Sequence, residues 1–218
     1  MSNSLRIRHL RTEDVPAVEQ LVKDVQTQSA QQEIKTHLHR MLTHPYLISI
    51  TLLVLATTVY LSQTDFVWLV GLLESIKFFI FWRRIKGVFS AGKDLQDLLS
   101  YYSHPKRLFL IAEMEGTVVG TVAVWQTNDD NTAKLTRMFV SSQCRRMGIG
   151  TRLIEKCIEE CRSLGYMSLM LRTHVTNHKA VKCYEKAGFV CTGRENFAKL
   201  YPHSFDTVNY HLSLTIGN

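Results

Sequence analysis

The chain has 218 residues, 45% of them hydrophobic, with 26 lysines and arginines against 19 acids for a formal charge of +7. That length suits one globular domain with an added element, or two very small domains, and the positive surplus favours anionic partners such as a phosphorylated cofactor, lipid headgroups or nucleic acid. Five cysteines (Cys144, Cys157, Cys161, Cys183 and Cys191) are an odd number without CxxC spacing, which excludes a disulfide scaffold or a zinc module and fits a reducing compartment.

In chain order, Met1-Ser-Asn-Ser-Leu-Arg has no apolar h-region, so no cleaved signal peptide is expected. Leu5 to Arg11 alternates like a strand. Thr12 then reads as the N-cap of a helix with acids in its first turn and Val15, Val18, Leu21 and Val22 on one face.

An apolar block follows. Pro45 to Thr64 is twenty residues without a formal charge, Asp65 interrupts, and Phe66 to Trp82 carries only Glu74 and Lys77. As one helix, residues 45–82 would run to ~57 Å, against a hydrocarbon core of ~30 Å. Two crossings turning near Ser62–Asp65 fit better, with the second segment either spanning or re-entrant. Lys35, His37, His39 and Arg40 precede the block, and Arg83, Arg84 and Lys86 follow it. Basic residues on both flanks place both ends on the cytoplasmic side, and Tyr46, Phe66, Trp68, Phe81 and Trp82 suit the interfacial belts. Residues 45–82 are thus expected to meet lipid as a membrane hairpin spanning 41–86. Residues 1–34 and 88–218 form one discontinuous domain around it.

Beyond the block, Asp94 to Tyr102 reads as an amphipathic helix. Leu108–Met114 and Val118–Trp125 form a hairpin around Glu115-Gly116, and Ala133–Val140 is a further strand after the polar turn Asn128–Asn131. Gly150 opens a helix with Leu153, Ile154, Cys157, Ile158, Cys161 and Leu164 on one face, stopped by Gly165. Cys157 and Cys161 are four residues apart on that face and read as small buried hydrophobes, not as metal ligands. Met167–Thr173 is a strand. Asn177 begins a helix bearing Ala180, Val181, Tyr184 and Ala187, which ends at Gly188. Strands at about 189–197 and 205–214 close a mixed α/β order. If the first strand joins the later ones in one sheet, the chain must return to the side of the membrane it left, so the number of crossings is even.

Arg145-Arg146-Met147-Gly148-Ile149-Gly150-Thr151 lies between a strand and a helix. A diphosphate needs convergent backbone N–H donors, and a glycine-rich turn entering a helix N-terminus supplies them together with the positive end of the helix dipole. Thr151 adds a hydroxyl, and Arg145 and Arg146 add charge.

This R-x-x-G-x-G turn after Leu135–Val140, with Asn177-His-Lys-Ala180-Val-Lys-Cys-Tyr184-Glu-Lys-Ala-Gly188-Phe189 further on, resembles the paired motifs of the GNAT N-acetyltransferases. The insert between the first two helices resembles the camello branch, which includes the cysteine S-conjugate and aspartate N-acetyltransferases and is anchored in the endoplasmic reticulum membrane. The resemblance implies a mixed, mostly antiparallel sheet with a central splayed parallel pair, flanked by helices, and acetyl-CoA as co-substrate without a metal. It also implies an endoplasmic reticulum location with the catalytic domain facing the cytosol.

By resemblance, the amides of Arg146, Met147, Gly148, Ile149, Gly150 and Thr151 hold the pyrophosphate beside Arg145. Main-chain groups of Met138 and Val140 pair with the pantetheine arm, and Asn177 contacts that arm, caps its helix, or does both. Tyr184 protonates the departing thiolate. The reaction is direct attack by a neutral amine, since nothing in sequence supplies a base to activate Cys144 or Cys183 for acyl transfer.

Ala133–Val140 contains Lys134 and Arg137 but no acid, so a general base must be found elsewhere. His174, ending the next strand, is the candidate, with a surface histidine as the alternative reading. A lysine amine is only ~0.04% neutral at pH 7 and an α-amine roughly 10%, so a weak base points to a small α-amine acceptor. Arg137 or Arg172 could hold its carboxylate, with two solvated strand arginines as the alternative reading. A protein lysine or N-terminal acceptor, or a non-catalytic acetyl-CoA-binding membrane protein, are the competing readings. Much of the basic surplus lies on the hairpin flanks and in the turn, and no recognition motif appears, so no nucleic-acid partner is expected.

Overall fold

The computed structural model describes residues 4–43, 97–174, 177–195 and 207–214, with scattered positions between 49 and 79. Met1–Val25 with Gly92–Asn218 form one compact unit, and Gln26–Ala91 form a second.

Among the described residues the first unit is built on one seven-stranded sheet in the order β1-β2-β3-β4-β5-β7-β6. The strands are β1 (Arg6–His9), β2 (Leu108–Met114), β3 (Thr117–Gln126), β4 (Thr132–Val140), β5 (Ser168–His174), β6 (Val190–Glu195) and β7 (Thr207–Ser213). Every neighbouring pair is antiparallel except β4 and β5, which run parallel near the middle. This is the mixed sheet expected from sequence. The last strand inserts between β5 and β6, a placement that strand order along the chain does not specify.

The helices are α1 (Val15–Thr43), α2 (Leu98–Tyr102), α3 (Ile149–Ser163) and α4 (His178–Lys186). They cover both sheet faces, and β2 shows why its sequence is a continuous apolar run. Leu108, Leu110 and Ala112 join α3 residues Leu153, Ile154 and Cys157 in one core. Phe109 and Ile111 join Val18 and Val22 of α1 and Leu98 and Tyr102 of α2 in the other. A strand buried on both sides has no polar alternation to show. Leu153 and Ile154 are fully buried, each worth about 1.5–3 kcal/mol of apolar burial.

Two local expectations are corrected. Thr12 is not the cap of α1: it begins a short 3-10 turn, Thr12–Asp14, in which the Asp14 carboxylate accepts from the Arg11 amide at 2.8 Å. The helix then runs to Thr43, well past its apolar face. The helix opened by the glycine turn starts one residue earlier, with Gly148 at the N-cap. Among the described residues no helix is long and apolar enough to cross a membrane, and most of 45–82 lies outside them.

Candidate active site

The sheet opens between β4 and β5. Their ladder consists of Thr132↔Ser168, Ala133↔Leu169 and Lys134↔Met170, yet β4 continues to Val140 and β5 to His174. The cause lies on the other side of β4. Thr121 pairs with Phe139 and Ala123 with Thr136, so β4 carries one extra residue, and Arg137 there adopts a left-handed φ of 51°. Such a bulge bends and twists its strand. The buried Thr121 hydroxyl donates to the Arg137 carbonyl at 2.8 Å.

Past the bulge, Ser141 donates its amide to the Val119 carbonyl at 2.8 Å. Strand alternation then turns the peptide groups of Met138 and Val140 away from β3, toward the gap. The free edge of β4 can therefore accept an extended, amide-bearing chain as an added strand.

At the end of that edge the chain turns into α3. Arg146 and Gly148 both have positive φ, 66° and 76°, and a Cβ at Gly148 would meet nothing, so this glycine is required for conformation. The Arg152 amide bonds the Gly148 carbonyl at 3.1 Å, no side chain caps the helix, and its first turn holds no acid. The amides of Ile149, Gly150 and Thr151 precede the first intrahelical bond and are left for an anion, with Arg145 and Arg146 exposed beside them. Arg145 Nε also approaches the Val140 carbonyl at 3.4 Å. The Ile149 side chain is buried and anchors the turn, so only its amide is offered.

Gly120 lets this turn sit low on β3: a Cβ there would lie 3.0 Å from Leu153 Cδ1 and 3.2 Å from the Phe139 carbonyl. A Cβ at Gly150 would lie 3.4 Å from Met138 Cε, so the turn and the free edge of β4 are adjacent. The Thr151 hydroxyl is 3.8 Å from Cys183 Sγ, which ties the start of α3 to α4.

Tyr184 and His174 lie on opposite faces of the sheet, and His174 ends β5 beyond its ladder with β4. Tyr184 is 6% exposed in the core shared by α3, Leu169 and Leu171. Alternation from Leu169 and Leu171 turns Arg172 and His174 to the other face, as alternation from Ala133 and Leu135 turns Thr136. Burial holds the Tyr184 phenol well above its ordinary pKa, with Cys183 and Cys157 adding to the rise, so it stays protonated. His174 Nδ1 and Thr136 Oγ1 are buried with no hydrogen-bond partner among the described residues. Unsatisfied buried polar atoms are rare and call for an explanation.

Asn177 occupies the N-cap position of α4, but its side chain makes no cap hydrogen bond and is exposed. Its amide instead takes the His174 carbonyl at 2.9 Å, linking β5 to the helix. Arg172 donates to Asn209 Oδ1 at 3.0 Å. Sequence reasoning passed over Thr121, Gly120 and Thr136. The first two carried a signal, a hydroxyl and a glycine inside the apolar run Val118–Trp125.

An uncapped helix start with exposed arginines, continuous with a strand edge free to pair, fits a diphosphate joined to an amide-bearing arm. Residues 78–189 match the acetyltransferase (GNAT) family. The chain is 27% identical over 201 residues to "Probable N-acetyltransferase 14" of Xenopus tropicalis, covering 89% of this chain and 91% of that one. It is 37% identical over 97 residues to the human "N-acetylaspartate synthetase", covering 44% of this chain but only 32% of the relative. "Probable N-acetyltransferase camello" of Xenopus tropicalis is 34% identical over 99 residues, 44% of this chain and 45% of that one. Among solved structures, yncA of Salmonella typhimurium with its cofactor acetyl-CoA superposes with a TM-score of 0.57 at 15% identity, over 98% and 95% of the two chains.

The chain belongs to the GNAT acetyltransferase family and is an acetyl-CoA-dependent N-acetyltransferase. Among the described residues no group of three His, Cys, Asp or Glu side chains could hold a metal ion.

Proposed function

We propose that the chain is a membrane-bound enzyme that acetylates the α-amine of a small amino-acid-type substrate, such as a cysteine S-conjugate, by direct attack in a ternary complex. The observation that carries this reading is the base. Among the described residues the candidate at the gap is an imidazole, His174, whose Nδ1 is buried and unpartnered, while β4 offers no carboxylate. A weak base suits an amine that is already partly neutral near pH 7. The human relative's name, N-acetylaspartate synthetase, is consistent with an amino-acid acceptor.

Bound acetyl-CoA supplies an acetyl thioester activated toward amines. The amides of Arg146, Met147, Gly148, Ile149, Gly150 and Thr151 hold its pyrophosphate beside Arg145, and Met138 and Val140 pair with its arm. Asn177, exposed and free of a capping role, contacts that arm. The acceptor amine attacks the acetyl carbon, so that a C–N bond forms as the C–S bond breaks. His174 takes the amine proton, directly or through a water also held by Thr136. Tyr184 gives its proton to the departing sulfur, and Arg137 or Arg172 faces the acceptor carboxylate. Among the described residues Cys183 Sγ contacts the Thr151 hydroxyl, which is not a base, and this reading assigns no acyl-cysteine.

Residues 45–82 meet lipid in this reading. Of the described positions in that block, Leu52, Trp68, Leu72 and Phe79 are helical and 58–77% exposed, an apolar display that water does not favour. Basic residues on both flanks favour a cytosolic catalytic unit, and the resemblance to the camello branch favours the endoplasmic reticulum membrane.

The test is CoA release by detergent-solubilised protein given acetyl-CoA with S-benzyl-cysteine, aspartate, a lysine peptide or a polyamine. Turnover on an α-amino acid supports the proposal. Turnover on the lysine peptide alone replaces it with protein acetylation, and acetyl-CoA binding without turnover replaces it with a non-catalytic role.

A further inference from the structure

We infer that Thr121 is a positioning residue for acetyl-CoA, its hydroxyl locking the bulge that opens β4 to the cofactor arm. Thr121 is 0% exposed on β3, in a strand whose buried neighbours Val119, Val122, Ala123 and Val124 are all apolar. A valine has the same shape and would fill the same core. What the hydroxyl adds is one hydrogen bond, 2.8 Å to the carbonyl of Arg137 sixteen residues away.

Arg137 needs that bond. Its φ of 51° is unfavourable for a residue with a Cβ, by roughly 1–2 kcal/mol, and the bulge leaves its carbonyl outside the regular β3–β4 ladder. Without that donor the carbonyl loses the bond that holds it in a strained turn, and the regular ladder becomes the competing arrangement. Closing the bulge shifts β4 by one residue against β3. Because strand groups alternate with period two, a one-residue slip turns the peptide groups of Met138 and Val140 from the gap toward β3. The strand edge that receives the arm is then lost, while the α3 start, set by Gly148 and by Gly120 beneath it, is retained.

The two halves of the cofactor site are therefore separable by ligand. Binding to detergent-solubilised full-length protein is measured by calorimetry, with acetyl-CoA as the whole ligand and 3′,5′-ADP as the part that needs only the α3 turn. Thr121→Val weakens acetyl-CoA about tenfold, the worth of one buried hydrogen bond, and leaves 3′,5′-ADP unchanged. Thr121→Ser, which keeps the hydroxyl, binds both as the parent does. Thr121→Val combined with Arg137→Gly, which removes the strain of the positive φ, regains most of the acetyl-CoA affinity, and this variant serves if the single one does not fold.

Unchanged acetyl-CoA binding by Thr121→Val overturns the inference, as does an equal loss for both ligands, which marks general damage to the core. A Thr121→Ser variant as weak as Thr121→Val overturns it too.

Discussion

Phe189 donates its backbone N–H to the carbonyl of Tyr184 at 3.0 Å, and the two rings meet edge-on with centroids 5.8 Å apart. The Gly188 amide meanwhile bonds the Glu185 carbonyl at 3.0 Å, completing a Schellman end to α4. The Gly-Phe pair that closes the helix thus also fixes the ring proposed as the acid.

Gly188 has a φ of 93°, and a Cβ there would lie 3.3 Å from Leu212 Cδ1. Gly188→Ala should cost about 1–2 kcal/mol, lowering Tm by several degrees in a chain of this size. Gly165 closes α3 in the same way, with φ 81°, and serves as the control. Gly188→Ala should lower kcat beyond what Gly165→Ala does at matched loss of Tm. Equal kcat in the two variants would mean that the cap does not hold the tyrosine.

Gly120→Ala places a methyl within 3.0–3.3 Å of Leu153, Phe139 and Ile149. Two of those three atoms belong to α3, so relief comes from lifting the start of the helix, at about 1–3 kcal/mol. Calorimetry should show weaker binding of both 3′,5′-ADP and acetyl-CoA, in contrast to Thr121→Val. Parent-like 3′,5′-ADP binding would show that the turn does not depend on its seat on β3.

Arg8 stands in a fork between two carboxylates, with Nη1 and Nη2 at 2.6 and 2.8 Å from Asp14 and Nε at 2.8 Å from Glu113. The Arg8 hydrogen bonds hold the Asp14 pKa below its ordinary value despite burial. A depressed folded pKa contributes stability that is fully present above the unfolded value near 4 and is lost as pH falls through the folded one. Asp14→Asn should therefore lose about 2 kcal/mol at neutral pH and flatten the dependence of Tm on pH below about 4. Thermal scans from pH 7 to 3 decide this, and parallel curves for parent and variant would rule the pair out as the origin of acid sensitivity.

What was legible in sequence was what is local. Arg145–Thr151 and Asn177–Phe189 each bring their chemistry within a dozen or so residues, and Gly188-Phe189 announces a helix end because a left-handed C′ glycine followed by an apolar residue is itself the motif. The bulge was not legible. An arginine in a left-handed conformation carries no local mark, and its reason is a hydroxyl on the neighbouring strand. The same holds for the capping of α1, where Thr12 has the preferred residue type but the Asp14 carboxylate, already held by Arg8, takes the Arg11 amide. Arg8 and Glu113 are separated by 105 residues, and β7 enters between β5 and β6 through pairings that only the assembled sheet defines.

The central claim is that Tyr184 protonates the departing thiolate while acetyl-CoA binds elsewhere, on the α3 turn and the β4 edge. Tyr184→Phe keeps the ring and its contact with Phe189 and removes only the hydroxyl. With the best acceptor of the amine panel, kcat for CoA release should fall about 10²- to 10³-fold, with the Kd for acetyl-CoA unchanged. A variant that keeps the parent kcat would contradict the assignment and require another acid.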